Sequence, residues 1–254
     1  MNLFYHHFGK GKPVIILHGL FGISDNWVTI GRALSEHFSI YIPDLRNHGR
    51  SPHAAAFSYY AMAEDIKSFC HHHKLDKVIL AGHSMGGKVA MQFAIDYPEM
   101  LEKLVVIDIS PAKKPARQIH VQIIHAMENV DFDICKTRQI VENQLTTDIP
   151  NKSLRMFIMK NLYRIDENRL GWRINLSAIV EQLDDIAVGI EPENKITAPV
   201  LFLRGEASDY ITDEDEKLIY DIFSSVEIKK IPDASHWMHV DNPVAVKNAF
   251  LSFM

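Results

Sequence analysis

The chain has 254 residues, 47% of them hydrophobic and 23% charged, with a formal net charge of −5. That length suits one large α/β domain or a core with one inserted subdomain, and the mildly acidic balance excludes the basic footprint of a nucleic-acid or anionic-membrane binder. Cys70 and Cys135 are the only cysteines, so no disulfide framework is expected and a reducing compartment is the simpler reading.

The first residues, Met1 to Phe8, lack the charged start and apolar stretch of a signal peptide. No run approaches the roughly 18 apolar residues of a membrane span, so no membrane insertion and a cytoplasmic location are predicted. Leu3 to Phe8 is aromatic-rich, and Gly9-Lys10-Gly11-Lys12 looks like a turn into the apolar run Pro13 to His18, which predicts a hairpin. The run ends in His18-Gly19-Leu20-Phe21-Gly22, a glycine loop at the strand end where α/β sheets place ligands. A helix is predicted from Val28 to His37, then a strand over Ser39 to Pro43. The polar loop Asp44-Leu45-Arg46-Asn47-His48-Gly49-Arg50-Ser51 follows. His48 precedes any nucleophile and has no partner at a useful spacing, so it is read as bracing its loop. Met62, Ile66, Phe69 and Cys70 follow helical spacing. The three consecutive histidines at that helix's end, His71 to His73, cannot all face one metal and suit the negative end of the macrodipole.

The stretch Val78 to Ala90 carries most of the chemical signal. An apolar β-branched run meets Gly82-His83-Ser84-Met85-Gly86 and continues with small residues, which reads as strand, sharp turn and helix. G-x-S-x-G in that setting lifts a serine above the sheet edge, and glycines two residues either side let strand and helix approach. Ser84 is therefore the candidate nucleophile. Lys103 to Ile109 is a further buried strand containing Asp108. From Pro111 to about Glu193 helical periodicities replace buried strands, which predicts a helical cap over residues 111–195 inserted into a core of residues 1–110 and 196–254. The cap's charges nearly balance, and its Met156, Phe157, Met159, Leu162, Tyr163 and Trp172 suit helix packing, some of them lining an apolar acyl pocket. The sheet resumes at Pro199 to Arg204 before the turn Gly205-Glu206-Ala207-Ser208-Asp209. A helix from Thr212 to Phe223 and a strand from Val226 to Ile231 precede His236, and Asn242 with Pro243 starts a final helix. Strands alternating with helices in this way imply a doubly wound, mostly parallel α/β sheet.

Ser84, an acid at Asp108 or Asp209, and His236 each lie at a strand's carboxyl end. A serine hydroxyl needs a base to become nucleophilic and that base needs a carboxylate to orient it. His236 is favoured over the rival His239 because it stands nearer the strand end. The anionic intermediate needs backbone donors, for which the residue after the nucleophile, Met85, and the loop residue Leu20 are the candidates. Burying Asp108 at the end of an apolar strand demands a hydrogen-bonded partner, whereas Asp209 sits in a polar turn.

These residues together resemble the α/β-hydrolase superfamily, and within it the YbfF-type esterases. The resemblance is carried by His18 to Gly22, Asp44 to Gly49 with Ser51, Gly82 to Lys88, Ile107 to Pro111, and His236-Trp237 with His239. It implies a carboxylester or acyl-thioester hydrolase using no metal or organic cofactor, with a small acyl ester or thioester as partner. It also implies the acid after the strand that follows the elbow helix, which is Asp108, with Asp209 as the alternative. The same residue types serve carbon–carbon hydrolases, lyases and perhydrolases. A ligand-sensing module that keeps the residues but turns little over is a further alternative.

Overall fold

In the computed structural model, which describes every residue except Ala116, the chain forms nine strands among its described residues. They are β1 (Tyr5–Phe8), β2 (Pro13–Leu17), β3 (Ser39–Pro43), β4 (Val78–His83), β5 (Leu101–Ile107), β6 (Leu162–Asp166), β7 (Arg169–Trp172), β8 (Val200–Gly205) and β9 (Val226–Ile231). Seven of them make one sheet, ordered β1-β3-β2-β4-β5-β8-β9, in which every neighbouring pair is parallel except β1 with β3. The predicted α/β fold class is therefore present.

Side chains alternate along the central strands, as a pleated strand requires. Ile15, Leu17, Leu80, Leu104 and Val106 enter one core with the helices α2 (Tyr59–His72), α3 (Met85–Asp96) and α8 (Asp213–Ile222). Val14, Ile16, Ile79, Val105 and Ile107 enter the other, with α1 (Val28–Leu34) and α10 (Pro243–Phe253). Both faces are covered, which is why these strands read as unbroken apolar runs rather than alternating ones.

The predicted hairpin between β1 and β2 does not form. β2 has β3 on one side and β4 on the other, both parallel, so no edge is left for β1. Gly9 and Gly11 adopt positive φ of 73° and 105°, and a Cβ on Gly9 would meet Phe38 O at 2.3 Å. The connection thus passes tightly against the end of the α1–β3 loop and delivers β1 antiparallel to β3, pairing Tyr5 with Pro43 and Phe8 with Ile40. The first helix also stops at Leu34, short of the predicted His37; Ser35 caps it and His37 N bonds Leu34 O in a turn.

Between β5 and β8 the chain builds α4 (Gln118–Glu128), α5 (Arg138–Asp148), α6 (Lys152–Ile158) and α7 (Leu176–Glu181). Alongside these helices the segment holds the antiparallel hairpin β6-β7, which the sequence reading left out. β6 is exposed over most of its length, so it lacks the continuous apolar run by which the central strands were recognised. Cys135 lies in the turn between α4 and α5 rather than on a helix, and both cysteines are buried free thiols. No helix among the described residues is long and apolar enough to cross a membrane.

Candidate active site

Ser84 follows β4 directly and precedes the first residue of α3. Its backbone is held at φ 52° and ψ −118°, a region that disfavours a side chain by about 1–3 kcal/mol. The surroundings enforce it. Ser84 N donates to Ile107 O at 3.0 Å, and Gly87 N returns to Ser84 O at 2.8 Å. A Cβ on Gly82 would stand 2.1 Å from Gly86 O, and one on Gly86 would stand 2.6 Å from His18 O. Only glycines at those positions let strand, elbow and helix come this close.

Asp108 immediately follows β5 and is also held at positive φ, 52°, with no exposed surface. Its Oδ1 accepts from Gly205 N at 2.9 Å, and its Oδ2 accepts from the Ser208 hydroxyl and lies 2.8 Å from His236 Nδ1. Three donors around one carboxylate offset its burial. Because a carboxylate accepts, His236 Nδ1 carries the proton and Nε2 is left with its lone pair. The Tyr210 ring stacks on the His236 imidazole at 3.5 Å between centroids and 12° between planes. His83 Nε2 donates to the His236 carbonyl at 2.8 Å.

Asp209, the alternative acid, lies elsewhere. Its side chain is 80% exposed and pairs with Arg117 at 2.7 Å, which holds its carboxyl below the usual range. Ser84 and His236 border one pocket, walled by Ile119, Ile123, Leu154, Phe157 and Trp237. A second pocket, walled by Tyr59, Met85, Ile109, Leu183 and Ile186, meets it at Leu20, Ser84, His120 and Tyr210. The Ser84 hydroxyl makes no protein hydrogen bond among the described residues.

Leu20, in the loop after β2, and Met85, at the start of α3, flank the serine. Neither backbone N–H donates to a protein acceptor among the described residues. For Met85 this follows from its place at the first turn of α3, where helix donors have no partner. The Leu20 loop is braced by two buried histidines. His18 Nδ1 donates to Gly19 O at 2.9 Å while its Nε2 accepts from Leu45 N at 3.0 Å. His48 Nδ1 donates to Arg46 O at 3.0 Å while its Nε2 accepts from Phe21 N at 3.3 Å. Each ring must stay neutral to accept, and burial enforces this: His18 is lowered below the usual histidine value and His48 is pushed down to about 3. His48 thus braces its loop, as the sequence suggested.

His239 is buried and stacks on Trp27 at 4.4 Å; burial pushes it down to about 3, and neither ring nitrogen has a partner among the described residues. Of the cap side chains named from sequence, only Phe157 borders the Ser84 pockets. Met159 and Leu162 are packed inside the insert, Met156 is exposed, and Trp172 packs on Phe132 and donates to Met127 O. Leu154, Ile119 and Ile123 were missed because their helical spacing signals burial without saying against what. Gly205 and Ser208 were visible as a turn, but only the fold brings that turn to Asp108. Among the described residues no group of three or more His, Cys, Asp or Glu side chains is placed to hold a metal.

The family of the alpha/beta hydrolase fold matches residues 12–128. The chain is 38% identical to the sn-1-specific diacylglycerol lipase ABHD11 of Danio rerio over 263 aligned residues, covering 100% of this chain and 83% of the relative. It is 31% identical to esterase YbfF of Escherichia coli (strain K12), covering 96% of this chain and 94% of that one. Among solved structures it is similar to a marine microorganism esterase, with 42% identity, a TM-score of 0.97 and 99% of each chain covered.

Proposed function

We propose that this chain, which belongs to the alpha/beta-hydrolase family and is an ester hydrolase, works through an acyl-enzyme at Ser84. The supporting observation is the Asp108–His236 contact beside a serine held in a strained elbow. In this reading His236 Nε2 takes the Ser84 proton as Oγ attacks the acyl carbonyl, and Asp108 holds the Nδ1–H tautomer and stabilises the imidazolium. The Leu20 and Met85 N–H groups receive the oxyanion. His236 then protonates the departing alcohol or thiol, and water repeats the cycle to free the acid.

The apolar walls of the first pocket favour uncharged acyl groups of short to medium length, and acyl thioesters fit the same chemistry. Residues 111–195 act as the cap that selects among them. Two buried free thiols fit a reducing, cytoplasmic setting. The test is pre-steady-state hydrolysis of p-nitrophenyl acyl esters. A burst of nitrophenol stoichiometric with enzyme is expected, lost in Ser84→Ala. A Ser84→Ala protein as fast as wild type would falsify the reading, and activity confined to vinylogous diketones would redirect it to carbon–carbon cleavage.

A further inference from the structure

One hydrogen bond to Asp108 fixes the direction of the His236 ring but not its plane, and a tilted ring would aim Nε2 away from Ser84. We propose that Tyr210 is the positioning residue that sets this plane, and that Arg117 of the insert holds Tyr210 in place; the inference rests on reading His236 as the base. The Tyr210 ring lies nearly coplanar over the imidazole, 3.5 Å away. Arg117 Cζ lies 3.7 Å from the Tyr210 centroid, so guanidinium and imidazole occupy opposite faces of one ring. Arg117 is in turn fixed to the residue beside the tyrosine: Nη1 donates to Asp209 Oδ1 at 2.7 Å and Nη2 to Asp209 O at 3.3 Å. The stack therefore runs from the segment before α4, through Tyr210, to His236.

The pairing with Asp209 has an electrostatic consequence. An uncompensated guanidinium one ring away from His236 would oppose the imidazolium that forms during the reaction, and the Asp209 carboxylate offsets that charge. Asp209 thus serves the histidine through Arg117 rather than by touching it. The phenolic oxygen of Tyr210 makes no hydrogen bond among the described residues, so the ring and not the hydroxyl carries the role. Stacked rings of this kind favour one relative orientation, and small misplacements of a base are expensive in rate.

The test measures kcat and KM on a p-nitrophenyl ester for wild type, Ser84→Ala, Tyr210→Phe, Tyr210→Leu, Arg117→Met and the Arg117→Met/Tyr210→Leu double variant, with melting curves for each. Tyr210→Leu is expected to lower kcat on the order of 10–100-fold with KM nearly unchanged, and Tyr210→Phe to restore most of it. Arg117→Met should lower kcat by a smaller factor, and the double variant should be no slower than Tyr210→Leu alone. Wild-type kcat in Tyr210→Leu, a loss confined to KM, equal losses in the Phe and Leu variants, or multiplying losses in the double variant each overturn the proposal. Should Tyr210→Leu fail to fold, Arg117→Met decides: unchanged kcat there overturns it. Ser84→Ala separates the two levels, because activity surviving in that variant removes the acyl-enzyme reading itself, whereas activity lost there but kept in Tyr210→Leu removes only the role of the stack.

Discussion

Acidification from pH 7 to pH 5 is expected to destabilise the fold through histidines that it holds neutral. His48 and His239 are buried, and desolvation pushes each down to about 3 from an ordinary value of 6.5. The unfolded chain therefore binds protons that the folded chain refuses. The stabilisation is complete above pH 6.5 and drains away as pH falls from 6.5 toward 3. For one such ring, linkage gives a loss of about 2 kcal/mol between pH 7 and pH 5, hence about 4 kcal/mol for the pair, a large fraction of the roughly 5–15 kcal/mol that folds a domain. The assay is urea unfolding followed by tryptophan fluorescence at both pH values, in wild type and in His239→Phe. The variant keeps a ring against Trp27, removes one titrating group, and should shrink the drop by about 2 kcal/mol whatever its absolute stability. A wild-type midpoint that stays fixed between pH 7 and pH 5, or an undiminished drop in His239→Phe, refutes the reasoning.

The two acids are separated by amide substitution. Asp108→Asn, which disturbs the group that Gly205 N, the Ser208 hydroxyl and His236 share, should lose on the order of 10⁴-fold in kcat by analogy with serine proteases, while Asp209→Asn should lose far less because its carboxylate pairs with Arg117 and not with His236. Gly86→Ala should give a protein destabilised by more than about 3 kcal/mol, read from its melting curve, because the new Cβ meets the His18 and Leu17 carbonyls at 2.6 and 2.7 Å; wild-type stability would show that the elbow can relax. Lys88→Met should leave the Ala112 and Val188 carbonyls without their donor, at up to about 1–3 kcal/mol each, while Pro111 O keeps the Ile190 N–H, and should speed limited proteolysis within residues 111–195 relative to the core.

What the sequence made legible follows from how locally each feature is determined. The elbow could be read because a turn that admits no Cβ writes itself as glycines around Ser84, and the buried strands could be read because cover on both faces produces an unbroken apolar run. The partner of β1 was not legible. Gly9 to Lys12 turns the chain in either topology, and the choice between β2 and β3 is made by strands far along the sequence that occupy both sides of β2. The β6-β7 hairpin escaped for the opposite reason: it is too exposed to carry an apolar signature, and Leu162 fits the helical spacing of Leu154, Phe157 and Ile158 as well as it fits a strand. Asp108 and Asp209 both lie beyond the carboxyl ends of strands, and what distinguishes them is the approach of Gly205, Ser208 and His236 to one carboxylate, a convergence of three distant segments.

Lys88 gives the insert a particular relation to the rest of the molecule. Its ammonium sits on the elbow helix and donates to Pro111 O, Ala112 O and Val188 O at 2.8, 2.8 and 3.0 Å, while Ile190 N bonds Pro111 O and Lys114 N bonds Ala187 O. The insert is closed at its neck like a drawn purse, with the knot on the helix that carries the nucleophile. Because its two ends return to the same side chain, the neck of the insert is held in register with the helix that carries Ser84, and the segment between them reaches back through Arg117 and Tyr210 to His236.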